Sequence, residues 1–580
     1  MKRFSLLAWM LTLPLAAAAK ELPYHQAGLN SYQAAAHLLS RFSYGPTPGQ
    51  VEKVVHQGLD SWLESQLSGR LDDTLCDKRL QAYPALAMDN EQIQQTYLAG
   101  PQLRRMASQA GKVDTQGGDD QQDMKMRRQI AAFAQKEGLK TERELLRQGL
   151  AQKVTRCVYS ENQLREIMTD FWFNHFNVSR TTNPARPHIL SYERDVIRPQ
   201  ALGDFRSLLG STARHPAMLL YLNNAQSMAN AEAPRLSKVS LPGFQAKAKA
   251  NAKGKRPVGL NENYARELME LHTLGVDGGY SQKDVTEVAR VLTGWTTAPR
   301  GPAAQRFSRL VEQYPDQVEP GSYGFLFVPF LHDAGPKTVM GKSFPAGQGM
   351  AEGDRLLDML ADDPHTCQRV ARKFAVRFIS DEPDPKVVLH LAQVYRRSHG
   401  NSAALIRAIA ESQAFWSASA LRAKVKNPLE YTVSSVRVMG GELRANETDL
   451  PQWVEKMGQA MYGCVPPTGY PDRSEQWISS GTLVHRVNFA FALATGRVRG
   501  VRIDLPAGPV EKVAQRILPG RPLDKALEPV RQTMSNEKFF STVRPNLPGD
   551  EMAPQKAAVP LSESQKVSGV LLSCPEFQRR

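Results

Sequence analysis

Residues 261–295 read NENYARELMELHTLGVDGGYSQKDVTEVARVLTGW. With Asn261 as N-cap, steps of about 100° per residue gather Tyr264, Ala265, Leu268, Met269, Leu271 and Leu274 on one broad apolar arc. Glu262, Arg266 and Glu270 fall on the opposite side. Their i, i+4, i+8 spacing forms a carboxylate–guanidinium–carboxylate ladder. Further along, Ser281 and Asp284 make a capping arrangement for a second helix, whose buried face is Val285, Val288, Ala289 and Leu292. Two amphipathic helices in one stretch predict a core made by helix packing.

The pattern extends in both directions. In ENQLREIMTDFWFNHF, Leu164, Met168, Phe171 and His175 form one helical stripe. GDRLLDMLADD, PHTCQRVARKFAVRFI, DPKVVLHLAQVYRRS and SAALIRAIAESQAF read as four successive helices, with Pro364 at a first turn. Strand signal is scarce. The best case is 325–344, FLFVPFLHDAGPKTVMGKSF, read as a small hairpin turning at 333–336. The expected fold class is mainly α, a multi-helical globular array with that one small β-hairpin. Residues 107–123 and 238–257 lack periodicity and read as loops. The second carries Lys238, Lys247, Lys249, Lys253, Lys255 and Arg256, a basic loop. The Pro-rich stretch 464–477 is also read as a loop. The chain is read as three helical parts, 20–237, 258–423 and 424–580, the first two separated by the basic loop. LIRAIAESQAF at 405–415 is echoed by VSGVLLSCPEF at 567–577, each an apolar helix closed by a Phe.

At 580 residues the chain exceeds one ordinary core. MKRFSLLAWMLTLPLAAAA at 1–19 has the charged start, short apolar run and small residues of a signal peptide. The expectation is export to the periplasm or the extracellular space, with no transmembrane segment in the rest of the chain. The formal charge of +15 predicts anionic partners, such as an acidic polysaccharide. No DNA- or RNA-binding motif appears, so nucleic acid is not an expected partner. The five cysteines have neither CxxC nor zinc spacing; an oxidising compartment allows one or two disulfides among them.

Glu267 lands at an edge of the apolar arc, and His272 lands inside it. His175 sits mid-stripe in FWFNHF. Ionisable groups on buried faces need partners, and they concentrate at functional sites. His175, Glu267, His272 and the His332-Asp333 pair are therefore the catalytic candidates, as acid and base or around a divalent metal held by His175 and His272. The bland alternative is core histidines bonded to carbonyls and a carboxylate neutralised by a nearby arginine. No HExxH, GxSxG, P-loop, GxGxxG or CxxCH occurs.

At these residues the chain resembles the exported bacterial family catalogued as domain of unknown function 1800. The matching pieces are AAHLLSRFSYGPTPGQ at 35–50, FWFNHFNV at 171–178, the whole of 261–295, HDAGPKTVMG at 332–341, DDPHTCQRVARKF at 362–374 and the closing SCPEFQRR. The resemblance implies a large helical exported protein with no established activity, often encoded beside a sulfatase-like exported protein, a candidate partner. The polar residues it carries over include His37, Arg41, Asn261, Asn263, Asp284 and Lys337, besides those already named. Arg41, Arg266 and Lys337 are the candidates for holding substrate charge. Phe173 and the 465–477 loop depart from the family pattern. Two readings stand. One is a hydrolase or lyase, acid–base or metal-assisted, acting on an extracellular or envelope polymer such as an anionic glycan. The other is a non-catalytic binding or assembly protein that partners an envelope enzyme, with the basic loop as its contact surface.

Overall fold

Leu164, Met168, Phe171 and His175 lie buried along one helix, Gln163–His175, as their spacing requires. Similar amphipathic stripes build the rest. The computed structural model is mainly α-helical, with sheets of only two or three short strands among the described residues. It describes residues 21–112, 120–237, 259–299, 309, 312–313, 318–542 and 561–580. The leader at 1–19 and the basic loop at 238–257 lie outside the described residues. Of the loop expected at 107–123, both ends are helical, belonging to Gly100–Gln109 and Asp120–Lys136.

The helix Gln163–His175 is central, packing against Ser31–Phe42, Leu59–Ser68 and Glu142–Tyr159. Met350–Ala361, Pro364–Phe378, Pro385–Arg397 and Ser402–Ala410 follow one another, with Pro364 in a first turn. Further on, Ser480–Ala494 lies against Glu563–Ser573. Their approach needs a glycine, because a Cβ at Gly569 would stand 2.5 Å from the Phe491 ring. One apolar cluster runs from Leu22 to Phe577 and draws on all three expected helical parts.

The strand region departs from the expected register. Phe325–Phe327 pairs with Trp295–Thr297 and with Glu319–Pro320, not with the residues after 336. The hairpin joins Lys337–Val339 to Lys342–Phe344 and turns at Met340 and Gly341, not at 333–336. Both turn residues have positive φ (48° and 75°), as a type I′ turn requires. The 333–336 segment instead crosses to residues 234 and 235, through the Ala334 N–H to the Pro234 carbonyl and an Arg235–Asp333 bridge. All five cysteines are unpaired, so the disulfides allowed by the sequence do not form. Among the described residues no helix is long and apolar enough to cross a membrane.

Candidate functional site

The motif helix is not a uniform α-helix. Asn263–Glu267 is α-helical, and Leu268–His272 is a π turn, a feature frequent at functional sites. The N-cap position is Glu262 rather than Asn261, although the Asn261 carboxamide oxygen still accepts the Asn263 N–H at 3.0 Å. The expected ladder is half present. Glu262 pairs with Arg266 at 3.5 Å and also accepts Thr286 Oγ1 (2.6 Å) and Gln282 Nε2 (2.7 Å) from the next helix. Glu270 instead acts through space on Arg369 and Glu267.

His272 closes the π turn and is buried beside His175, with ring centroids 6.2 Å apart. His175 Nε2 lies 3.0 Å from the His272 carbonyl oxygen, so that nitrogen carries the proton and donates. Burial, followed by Arg369, pushes the His272 ring down to about 3, and its Nε2 has no hydrogen-bond partner. His175 is also held well below the ordinary range, first by burial and then by Lys373. Both imidazoles are neutral at pH 7. Glu267 lies on the half-exposed face of the same helix, where burial and then Glu270 raise its pKa against the pull of Arg266.

His332, Asp333 and Lys337 form a separate group. Lys337 Nζ donates to the carbonyls of Asp333 (2.5 Å) and Gly335 (3.0 Å) and to Glu352 Oε2 (2.6 Å), while His332 Nε2 faces that carboxylate at 3.6 Å. Asp333 is bound by Arg290 at 2.8 Å. Among the described residues no hydrogen bond, ion pair or ring contact joins this group to His175, Glu267 or His272. Nor is any set of three or more His, Cys, Asp or Glu side chains placed to hold a metal ion. The single site expected from these five residues is divided, and each histidine bonds a backbone carbonyl or stands among rings.

Arg41 leads elsewhere. It is fully buried and donates to the Ala420 carbonyl, while its Nε and Nη1 have no acceptor. Burial pushes it down to about 9, against the pull of Glu430. Next to it, His37 Nε2 meets the Phe415 carbonyl oxygen at 3.0 Å. His37 lines a pocket of about 110 Å³, between the helix Ser31–Phe42 with its following turn, Pro428–Val438, the 517–522 turn and the short helix Pro575–Gln578. Arg422, Lys426, Arg521, Arg579 and Arg580 line it. Two side-chain carboxylates in the lining, Glu430 and Glu576, answer them. Glu430 is already engaged by Arg377 (2.6 Å) and Arg580 (3.2 Å), and its other oxygen caps its own helix through the Asn427 N–H (2.9 Å). Arg580 is 3% exposed, and its Nε and Nη1 have no acceptor.

The sequence reading also missed a buried charge chain beside the central helix. Lys153 bridges Asp170 (2.8 Å) and Glu193 (3.1 Å), and Arg198 bridges Glu193 (2.9 Å) and Glu166 (3.0 Å). Burial acts to raise Glu193, but Lys153 and Arg198 bring it down to about 2. Every charge in the chain has a counter-charge, so it reads as structural.

Fold and pocket define a class: a large helical protein with a positively charged pocket formed where distant parts of its sequence meet. The family model described as "Protein of unknown function (DUF1800)" matches residues 37–579, and the chain belongs to that family. No curated protein and no solved structure matches it.

Proposed function

We propose that this is an exported protein that binds an anionic group of an extracellular or envelope polymer, such as an acidic glycan, in the basic pocket. The observation that carries the reading is the charge imbalance there: four guanidiniums and the Lys426 amine face two side-chain carboxylates, and Arg580 in the wall keeps guanidinium nitrogens without acceptors. Burying an uncompensated cation is costly, and a bound carboxylate, sulfate or phosphate relieves that cost through charge-assisted hydrogen bonds. The leader-like start at 1–19 supports export. The test is calorimetric titration of the whole chain with oligogalacturonate and with a neutral maltooligosaccharide. The acidic oligomer binds and weakens with salt; Arg422→Ala with Arg521→Ala weakens it at least tenfold, and deletion of 238–257 does not. Equal affinity for the two oligomers would sink the reading.

One observation favours an enzyme. Glu267 is a half-exposed carboxyl with a raised pKa, suited to proton transfer. If polymer turnover is detected, Glu267→Gln abolishes it and leaves the unfolding midpoint unchanged. A variant that unfolds marks Glu267 as structural.

A further inference from the structure

Four lysines are buried among the described residues: Lys153, Lys337, Lys424 and Lys426. The first three are fully engaged. Lys153 has two carboxylates, Lys337 has Glu352 and two carbonyls, and Lys424 has Asp381 and the Asp472 carbonyl oxygen at 2.7 Å. Lys426 differs. Its Nζ has no hydrogen-bond acceptor among the described residues; it sits 3.7 Å from the centroid of the Phe577 ring, in the wall of the basic pocket. The nearest compensating carboxylate, Glu430, is occupied by two guanidiniums and a helix cap.

We infer that Lys426 is a reactive amine and that the pocket takes an oxo acid, a small carboxylate carrying an aldehyde or ketone, captured as a reversible imine. The inference rests on the anion-binding reading above and adds a covalent step to it. Burial first, then Arg521, brings Lys426 down to about 7, so a large share of the amine is unprotonated at neutral pH. An amine desolvated beside other cations is an activated nucleophile. Arg580 and Arg521 supply the carboxylate clamp that would bring a carbonyl carbon to the nitrogen. The Lys426 lone pair adds to that carbon, and the carbonyl oxygen takes up one amine proton to give a carbinolamine. The second amine proton and the hydroxyl then leave as water, and the C=N bond forms. Nothing is oxidised or reduced. A cavity of about 150 Å³ holds benzene, so this pocket of about 110 Å³ suits about four or five heavy atoms, the size of glyoxylate, with pyruvate one atom larger.

The experiment treats the whole chain at pH 7 with glyoxylate or pyruvate and cyanoborohydride, and maps reduced adducts by peptide mass spectrometry. Acetaldehyde serves as a carbonyl without a carboxylate, and lactate as a carboxylate without a carbonyl. The expected result is adduct at Lys426 at least tenfold faster than at any exposed lysine, slower with acetaldehyde and slowed by added lactate. Its rate rises with pH around a midpoint near 7. If the acidic oligomer binds but Lys426 is labelled no faster than surface lysines, the imine is overturned and the anion site stands. If the acidic oligomer shows no preference and lactate gives no protection, both fall.

Discussion

His272 and His215 each lie near 3 in the fold, the first through burial and Arg369, the second through burial and Arg194. An unfolded histidine titrates near 6.5. The unfolded state therefore binds more protons across the window between about 3 and 6.5, so stability is complete above it and is lost as pH falls through it. Each such histidine removes about 1.4 kcal/mol per pH unit there. Denaturant titrations at pH 7, 6, 5 and 4 should show stability falling steeply below about pH 6. His272→Leu should reduce the slope by one histidine's share; an unchanged slope would show that His272 takes up its proton without unfolding. His175 and His37, also held low by burial, act in the same direction.

Trp295 packs where the helix Met350–Ala361 presents Gly353, and a Cβ there would lie 2.2 Å from the indole. Gly353→Ala gains helix propensity but forces a core ring aside, and overpacking of this kind costs about 1–3 kcal/mol. A thermal melt should show a lower midpoint; an equal or higher one would mean that the helix shifts freely. What the sequence revealed at this level was local. Ser281 and Asp284 form the expected capping box because four consecutive residues suffice to specify it. The π turn at Leu268–His272 escaped because a fixed α-helical step cannot register an extra residue in the turn. Beyond Leu268 the angular assignment no longer applies, and His272 lies against Phe176 and His175. The echo between 405–415 and 567–577 has a structural counterpart. Each copy is a helix, a break and a one-turn helix, and the two Phe residues meet His37 and Lys426 on either side of the pocket. By contrast, the Lys153–Glu193 pair and the pocket cations were illegible, because charge partners far apart in sequence share no period.

The pocket is a strongly non-local feature. His37 and the Phe415 carbonyl that it contacts are 378 residues apart, and the remaining wall comes from 517–522 and 575–580. Ala36, Tyr44, Val438, Ile517, Leu518 and Phe577 in its wall also belong to the apolar cluster that runs from Leu22 to Phe577. Ligand binding should therefore stabilise the chain as a unit. At a hundred times the dissociation constant, an acidic oligomer adds about 2.7 kcal/mol. Near- and far-ultraviolet circular dichroism midpoints should rise together; a rise in one alone would mean that side-chain packing and helices are lost in separate steps. Synthesis gives this arrangement a further meaning. The segment with His37 and Arg41 emerges long before its last neighbours exist, so its cations stay hydrated until the late segment docks. The cavity exists only once residues 517–522 and 576–580 have joined its wall. An anion that needs this cavity would therefore act as a proofreader, passing over any molecule that stops before residue 517.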